Sequence, residues 1–290
     1  MNYRHLYHAG NYADVFKHVL LLQLVRAMQR KEKGFFYLDT HAGRGGYDLS
    51  ATTTLPDGRE RAPEWTDGIG RIWTGTNPAD LLADYLAAVR AYNVRHGVVE
   101  PTLQYYPGSP WIAQAQLRVQ DRLALCELRE DDAEALDLDL GGEPNVSVHQ
   151  MDGYTALRAM LPPREKRALV LIDPPFENAS EFADILGGLR EALKRFPSGV
   201  YAVWYPITER ARSDWFHQDL LALGLPPTLV VEMQIAGDSA EVRMKGCGLT
   251  ILNPPWHIEA EIKTVMPVLA ERLKLDARAA ERIRWLVPEK

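Results

Sequence analysis

Cysteine is scarce in this sequence. There are two in 290 residues, Cys126 and Cys247, each inside an apolar run and neither in a CxxC spacing. That excludes a disulfide framework and fits buried free thiols in a reducing cytoplasm. Long apolar runs are missing too. A membrane span needs about 18–20 apolar residues in succession, and the best stretch, Val19–Val25, is broken by Gln23. The N-terminus shows no apolar core followed by a small-residue cleavage site, so no secretion signal is expected. Basic charge is in deficit as well, with a formal net charge of −6 and a pI near 5.8. Taken alone, this argues against a broad electrostatic grip on nucleic acid.

The deficit is uneven. Residues 1–47 hold seven Lys/Arg against three acids, a surplus of +4 that leaves −10 over the remainder. A polyanion should approach the front end. Four of the eight histidines (His5, His8, His18, His41) also lie there. No cysteine or paired acid accompanies them at ligand spacing, so no metal site is expected.

Apolar positions Val15, Val19, Leu22, Val25 and Ala27 recur at helical spacing, predicting a helix over 13–32. FFYLD (35–39) reads as a strand running into the glycine-rich turn THAGRGGYD. From 50 to 106 strand signals vanish, and 79–97 has helical periodicity; this stretch is expected to be a small, mostly helical insertion. It would divide a main domain formed by 1–49 and 107–290. PGSP (107–110) looks like a helix start, with Ser109 as N-cap and Pro110 at the first helical position. Strand signals return at 123–128, 146–152, 167–173 and 199–207, with helices expected at 180–195 and 209–223. Runs 228–235 and 247–253 are joined by a polar segment without helical pattern, so they should pair antiparallel. An amphipathic helix and an apolar end follow Glu259. Seven strands in this order imply an α/β doubly wound sheet with its last strand antiparallel, and ligands beyond the C-terminal ends of the parallel strands.

Those ends carry chemistry. Asp39-x-x-x-Gly43-x-Gly45 follows the first strand, where glycine lets the backbone approach a ligand closely. The next strands end in Glu127, suited to both hydroxyls of a ribose, and in Asp152-Gly153, suited to an adenine amino group. Together they favour an adenosine-bearing cofactor. Asp173-Pro174-Pro175-Phe176 narrows the choice. The amino group of adenine or cytosine is a poor nucleophile because its lone pair is delocalised into the ring. A carboxylate and a carbonyl accepting its two hydrogens can hold that lone pair toward an electrophilic methyl group. Proline fixes φ near −65° and donates no competing N–H, while Phe176 offers a stacking face worth about 1–3 kcal/mol. The base must be single-stranded or flipped out. A second cassette, Asn253-Pro-Pro-Trp256, follows the strand expected to be antiparallel, which puts it at the opposite sheet edge. Asn253 should end that strand, and Trp256 should pack under the tail.

A strand followed by DPPF, downstream of a strand followed by DxxxGxG, resembles class I S-adenosylmethionine-dependent amino-methyltransferases, whose fold is Rossmann-like. YRHxxHAGNxADVxKH (3–18), YLDTHAGxGxY (37–47), YYPGSP (105–110), LIDPP (171–175), YAxWYP (201–206) and LNPPW (252–256) further resemble the bacterial RlmJ family, which methylates the N6 of an adenine in 23S ribosomal RNA. The resemblance implies that His18, His41, Gly43, Ser109, Glu127, Asp152, Gly153 and Asp173 surround the cofactor. It implies Asp173, Pro174 and Phe176 as the catalytic set, and Tyr3, Arg4, His5 and Lys17 as an RNA-contacting motif. Phe176 departs from the tyrosine of many members, keeping the ring and losing a hydroxyl. A cytoplasmic monomer acting on naked or early-assembly RNA is expected. DNA adenine-N6 methylation, methylation of a protein glutamine amide and a non-catalytic RNA-binding module stay as alternatives. The absence of a separate DNA-reading domain weighs against the first. A dehydrogenase reading of the glycine turn leaves DPPF unexplained.

Overall fold

The computed structural model describes residues 7–51, 63–73, 81–237, 242 and 244–289. Its centre is β1 (Phe36–Asp39), buried throughout. Parallel to β1 on one side run β4 (Arg122–Glu127) and then β5 (Val146–Gln150). On the other side come β6 (Ala168–Ile172) and β7 (Val200–Ile207). The β6 sequence ALVLI is apolar at every position because helices cover both faces. β9 (Gly246–Leu252) then runs antiparallel to β7, and β8 (Thr228–Gln234) pairs with the outer side of β9. The expected antiparallel closing pair is present. The chain builds one way from β1 through β4 and β5, and the other way through β6 and β7. The switch point therefore lies between the C-terminal ends of β1 and β6.

The sequence reading stops one strand short. β10 (Ala280–Val287) adds antiparallel to β8 and brings the sheet to eight strands. The run AERIRWLV is exposed at its start and half-buried from Ile283 onward, as fits a strand at the sheet's edge. A short β2 (Gly46–Asp48) pairs with β3 (Tyr105–Pro107) in a separate two-stranded sheet, joining the ends of the expected insertion.

Helix α1 (Tyr12–Gln29) ends three residues before the predicted boundary. Asn11 caps it by accepting the N–H groups of Ala13 and Asp14. Nearly every side of α1 is buried, because it packs among α3 (Ala83–Arg95), α4 (Ser109–Gln114) and α9 (Ile258–Leu273). The helix α2 (Ile69–Ile72) and α3, from the expected insertion, bury Ile69, Ile72, Tyr85, Leu86 and Val89 in that same cluster. α5 (Glu130–Leu140) shares this face of the sheet. The other face carries α6 (Gly153–Met160), α7 (Glu181–Arg195) and α8 (Arg210–Leu221). Among the described residues no helix is long and apolar enough to cross a membrane.

The two Pro-Pro cassettes lie at opposite edges. Leu252, the last residue of β9, pairs with Tyr201 near the start of β7, so Asn253 emerges at the N-terminal edge of the parallel strands. Its side-chain amide donates to the carbonyls of Pro197 and Gly199, both at 2.8 Å. Trp256 does not pack under the tail as expected. It is 74% exposed, its ring meets only the neighbouring His257 among the described rings, and its carbonyl accepts from Arg30. The left-handed backbone of His257 (φ 64°) starts α9 immediately and leaves the indole outside.

Candidate active site

The C-terminal ends of β1 and β6 bring two carboxylates together around one ammonium. Asp39 closes β1 and is fully buried. Its Oδ2 accepts the hydroxyls of Tyr37 at 2.9 Å and Ser109 at 2.7 Å. Burial raises its pKa from 3.8 to about 6, the two hydroxyls pull against that rise, and the charge of Asp173 adds to it. Ser109 therefore does not cap α4; Gly108 holds the cap position and the serine hydroxyl turns inward to Asp39. A buried carboxylate is the more demanding acceptor.

Asp173 follows β6 and is half-buried. Its Oδ2 accepts from the Lys17 ammonium at 2.6 Å, and Lys17 also pairs with Asp14 Oδ1 at 3.0 Å. Lys17, expected among the RNA contacts, is thus an interior residue, 6% exposed. Burial opposes its charge, but the two carboxylates outweigh that and hold it protonated well above the usual lysine range. Asp14, which the sequence reading passed over, is fixed by the Gly10 N–H at 3.0 Å. The signal was available. A Lys three residues after an Asp in an otherwise apolar helix needs a buried partner. The three companions of Lys17 in that motif, Tyr3, Arg4 and His5, lie outside the described residues.

The glycine-rich turn folds against β4. Gly43 and Gly45 adopt left-handed φ of 62° and 83°, and the Gly43 N–H donates to Glu127 Oε2 at 2.9 Å. Glu127 Oε1 takes the Arg129 N–H at 2.8 Å. After β5, Asp152 caps α6 through Oδ2 and the Thr155 N–H at 2.7 Å. Gly153 sits so near the β1 loop that a Cβ there would lie 2.1 Å from the Thr40 carbonyl. His41, half-buried between these elements, has its Nδ1 2.8 Å from Thr40 Oγ1 and its ring edge-on to Tyr154 at 5.3 Å. The Thr40 hydroxyl already donates to the Leu171 carbonyl at 2.9 Å, so Nδ1 carries the proton and Nε2 is an acceptor. Burial lowers the His41 pKa to about 4 against the pull of Asp173 and Asp152, leaving a neutral ring at pH 7. His18 is deeper, 1% exposed, with Nδ1 2.9 Å from the Tyr106 hydroxyl.

The chain after Asp173 is held in an unusual shape. Pro174 is buried, and Phe176 has φ 50°, a conformation that costs a bulky residue on the order of 1–3 kcal/mol. Two contacts retain it. The Phe176 N–H donates to Glu181 Oε2 at 3.0 Å, and the ring packs edge-on against Phe182 (5.1 Å) and Trp204 (5.7 Å). Glu181 is buried at the head of α7. Burial pushes its carboxyl up and the Phe176 N–H holds it down. Sequence reading missed Glu181, which five residues from Phe176 looks like an ordinary first-turn acid.

A β9 running antiparallel between β7 and β8 in an otherwise parallel core, with reactive carboxylates at the switch point, is the architecture of class I methyltransferases. The comparisons narrow this class. Residues 32–287 match the family described as ribosomal RNA large subunit methyltransferase D, RlmJ, and the chain belongs to that family. It is 38% identical to ribosomal RNA large subunit methyltransferase J of Haemophilus influenzae over 289 residues, and 39% identical to the Escherichia coli protein of that name over 290 residues. Each alignment covers 100% of both chains. Among solved structures, a Legionella pneumophila protein superposes with TM-score 0.84 at 35% identity, covering 96% of this chain and 98% of that one.

Proposed function

We propose that this protein transfers a methyl group from S-adenosylmethionine to the exocyclic N6 of an adenine in 23S ribosomal RNA. The residues at the switch point fit that cofactor. Gly43 and Gly153 leave backbone where a side chain would intrude, Glu127 is placed to accept ribose hydroxyls, and Asp152 keeps one carboxylate oxygen beyond its cap bond. His41, neutral with an accepting Nε2, and the Ser109–Asp39 pair line the same edge. When bound, the cofactor supplies an electrophilic methyl group.

The observation that carries the reading is the state of Asp173. Lys17 donates to Oδ2, while Oδ1 has no hydrogen-bond partner among the described residues. Oδ1 can accept one hydrogen of an adenine amino group and the Pro174 carbonyl the other, turning the nitrogen lone pair out of the ring plane. Phe176 stacks on the base. Asp173 need not be a strong base, because the methylated ammonium formed by attack is very acidic and loses its proton readily. Positioning and charge complementarity are what the site contributes. The family membership supports ribosomal RNA over a protein amide as substrate.

The test is transfer of labelled methyl from S-adenosylmethionine to 23S ribosomal RNA purified from cells lacking the gene, with duplex DNA and a glutamine peptide alongside. Label in N6-methyladenine of the RNA alone is expected. Tight cofactor binding without transfer to RNA would sink the reading in favour of a non-catalytic module.

A further inference from the structure

The row of rings that holds Phe176 continues outward. Trp204 meets Phe176 at 5.7 Å, Phe176 meets Phe182 at 5.1 Å, and the Arg212 guanidinium lies over Phe182 at 6.0 Å. Phe182 opens α7 and Arg212 lies in the first turn of α8, the helices that follow β6 and β7. Both therefore stand at the same sheet edge as Asp173. Phe182 is half-buried and Arg212 exposed. Glu209 and Asp214 flank Arg212 in sequence, yet the guanidinium makes no ion pair among the described residues. Trp215, three residues along α8 and so on the same side of the helix, is 62% exposed. An exposed tryptophan and an unpaired arginine resting on a ring add little to the core. They do offer stacking faces and a cation in one place, which is what a single-stranded nucleic acid requires. Arginine's planar fork also matches phosphate geometry.

We infer that Phe182, Arg212 and Trp215 form a subsite for the nucleotide adjoining the target base, with Arg212 on its phosphate and the rings against its base. The subsite rests on the proposed RNA reaction, since Phe176, which holds the target base, is the inner neighbour of Phe182.

The test uses the full chain and in-vitro transcribed 23S ribosomal RNA. Binding is measured against salt and KM by methyl transfer, for wild type, Arg212→Ala, Arg212→Lys and Trp215→Ala. Arg212→Ala should weaken RNA binding roughly 5–10-fold and make the log–log salt slope shallower by about 0.7–1. Affinity for S-adenosylmethionine should be retained. Arg212→Lys should restore the slope, and Trp215→Ala should weaken binding with the slope unchanged. Wild-type RNA affinity and salt slope in Arg212→Ala would overturn the subsite. If wild type transfers no methyl to the RNA, the reaction is what fails, and the slope comparison still decides the subsite.

Discussion

Asp173 is where the chemistry is most concentrated. Asp173→Ala should lower turnover by on the order of 10²–10³-fold or more while circular dichroism stays near wild type. Near wild-type turnover would remove its assigned role. Asp39 and His41 set a pH signature. Folded Asp39 keeps its proton up to about pH 6 while the unfolded residue loses it near 3.8, so its contribution to stability falls as pH rises through that window. His41 acts oppositely. Its folded pKa of about 4 against 6.5 unfolded makes stability rise with pH over that range. His217, also lowered to about 4 by burial, adds to the rise. Asp39→Asn removes the opposing slope, so denaturant unfolding at pH 4 and pH 6 should show the variant gaining roughly 2–3 kcal/mol more than wild type over the interval. Parallel profiles would contradict the buried, protonated Asp39. The DPPF letters made Asp173 legible in the sequence. The inward turn of Lys17 was not, because a positively charged segment looks the same whether its lysine faces RNA or a buried carboxylate.

At the scale of elements, the turn after β6 depends on its neighbour. Glu181 accepts the N–H of a residue in left-handed conformation. Glu181→Ala should therefore loosen Phe176 and raise KM for RNA about 10-fold, or about 1.4 kcal/mol. Glu181→Gln keeps an acceptor oxygen and should recover most of the loss. Equal effects of the two substitutions would mean that the buried charge, and not the accepted hydrogen bond, is what matters. Strand boundaries and the antiparallel closing pair were readable from period and loop composition. Ser109 was misplaced because PGSP has the letters of a helix cap whatever its hydroxyl does, and Asp39 was the stronger claimant. β10 was taken for an apolar end because its run lacks a clear period of two and gives no hint of the strand it will pair with.

For the whole molecule, strand order assigns the two Pro-Pro cassettes different work. Asn253 lies at the far edge, tying the end of β9 to the carbonyls of Pro197 and Gly199. Asn253→Ala removes both bonds and places a less tolerant residue at φ 50°. It should cost about 1–3 kcal/mol in unfolding with turnover unchanged. A large loss of activity at unchanged stability would refute the separation of the two edges. That separation was legible in the sequence, because direction in a sheet follows from the order and connection of the strands. The proposed nucleotide subsite was not, since it is assembled from α7 and α8, which no single motif spans.

The central claim is best tested in cells. Mass spectrometry of 23S ribosomal RNA fragments should compare a deletion strain with the same strain carrying the wild-type gene or Asp173→Ala. The account predicts that one adenine lacks its N6 methyl group in the deletion strain, regains it with the wild-type gene and stays unmodified with Asp173→Ala. A deletion strain in which every adenine keeps its methylation, or restoration by Asp173→Ala, would contradict it.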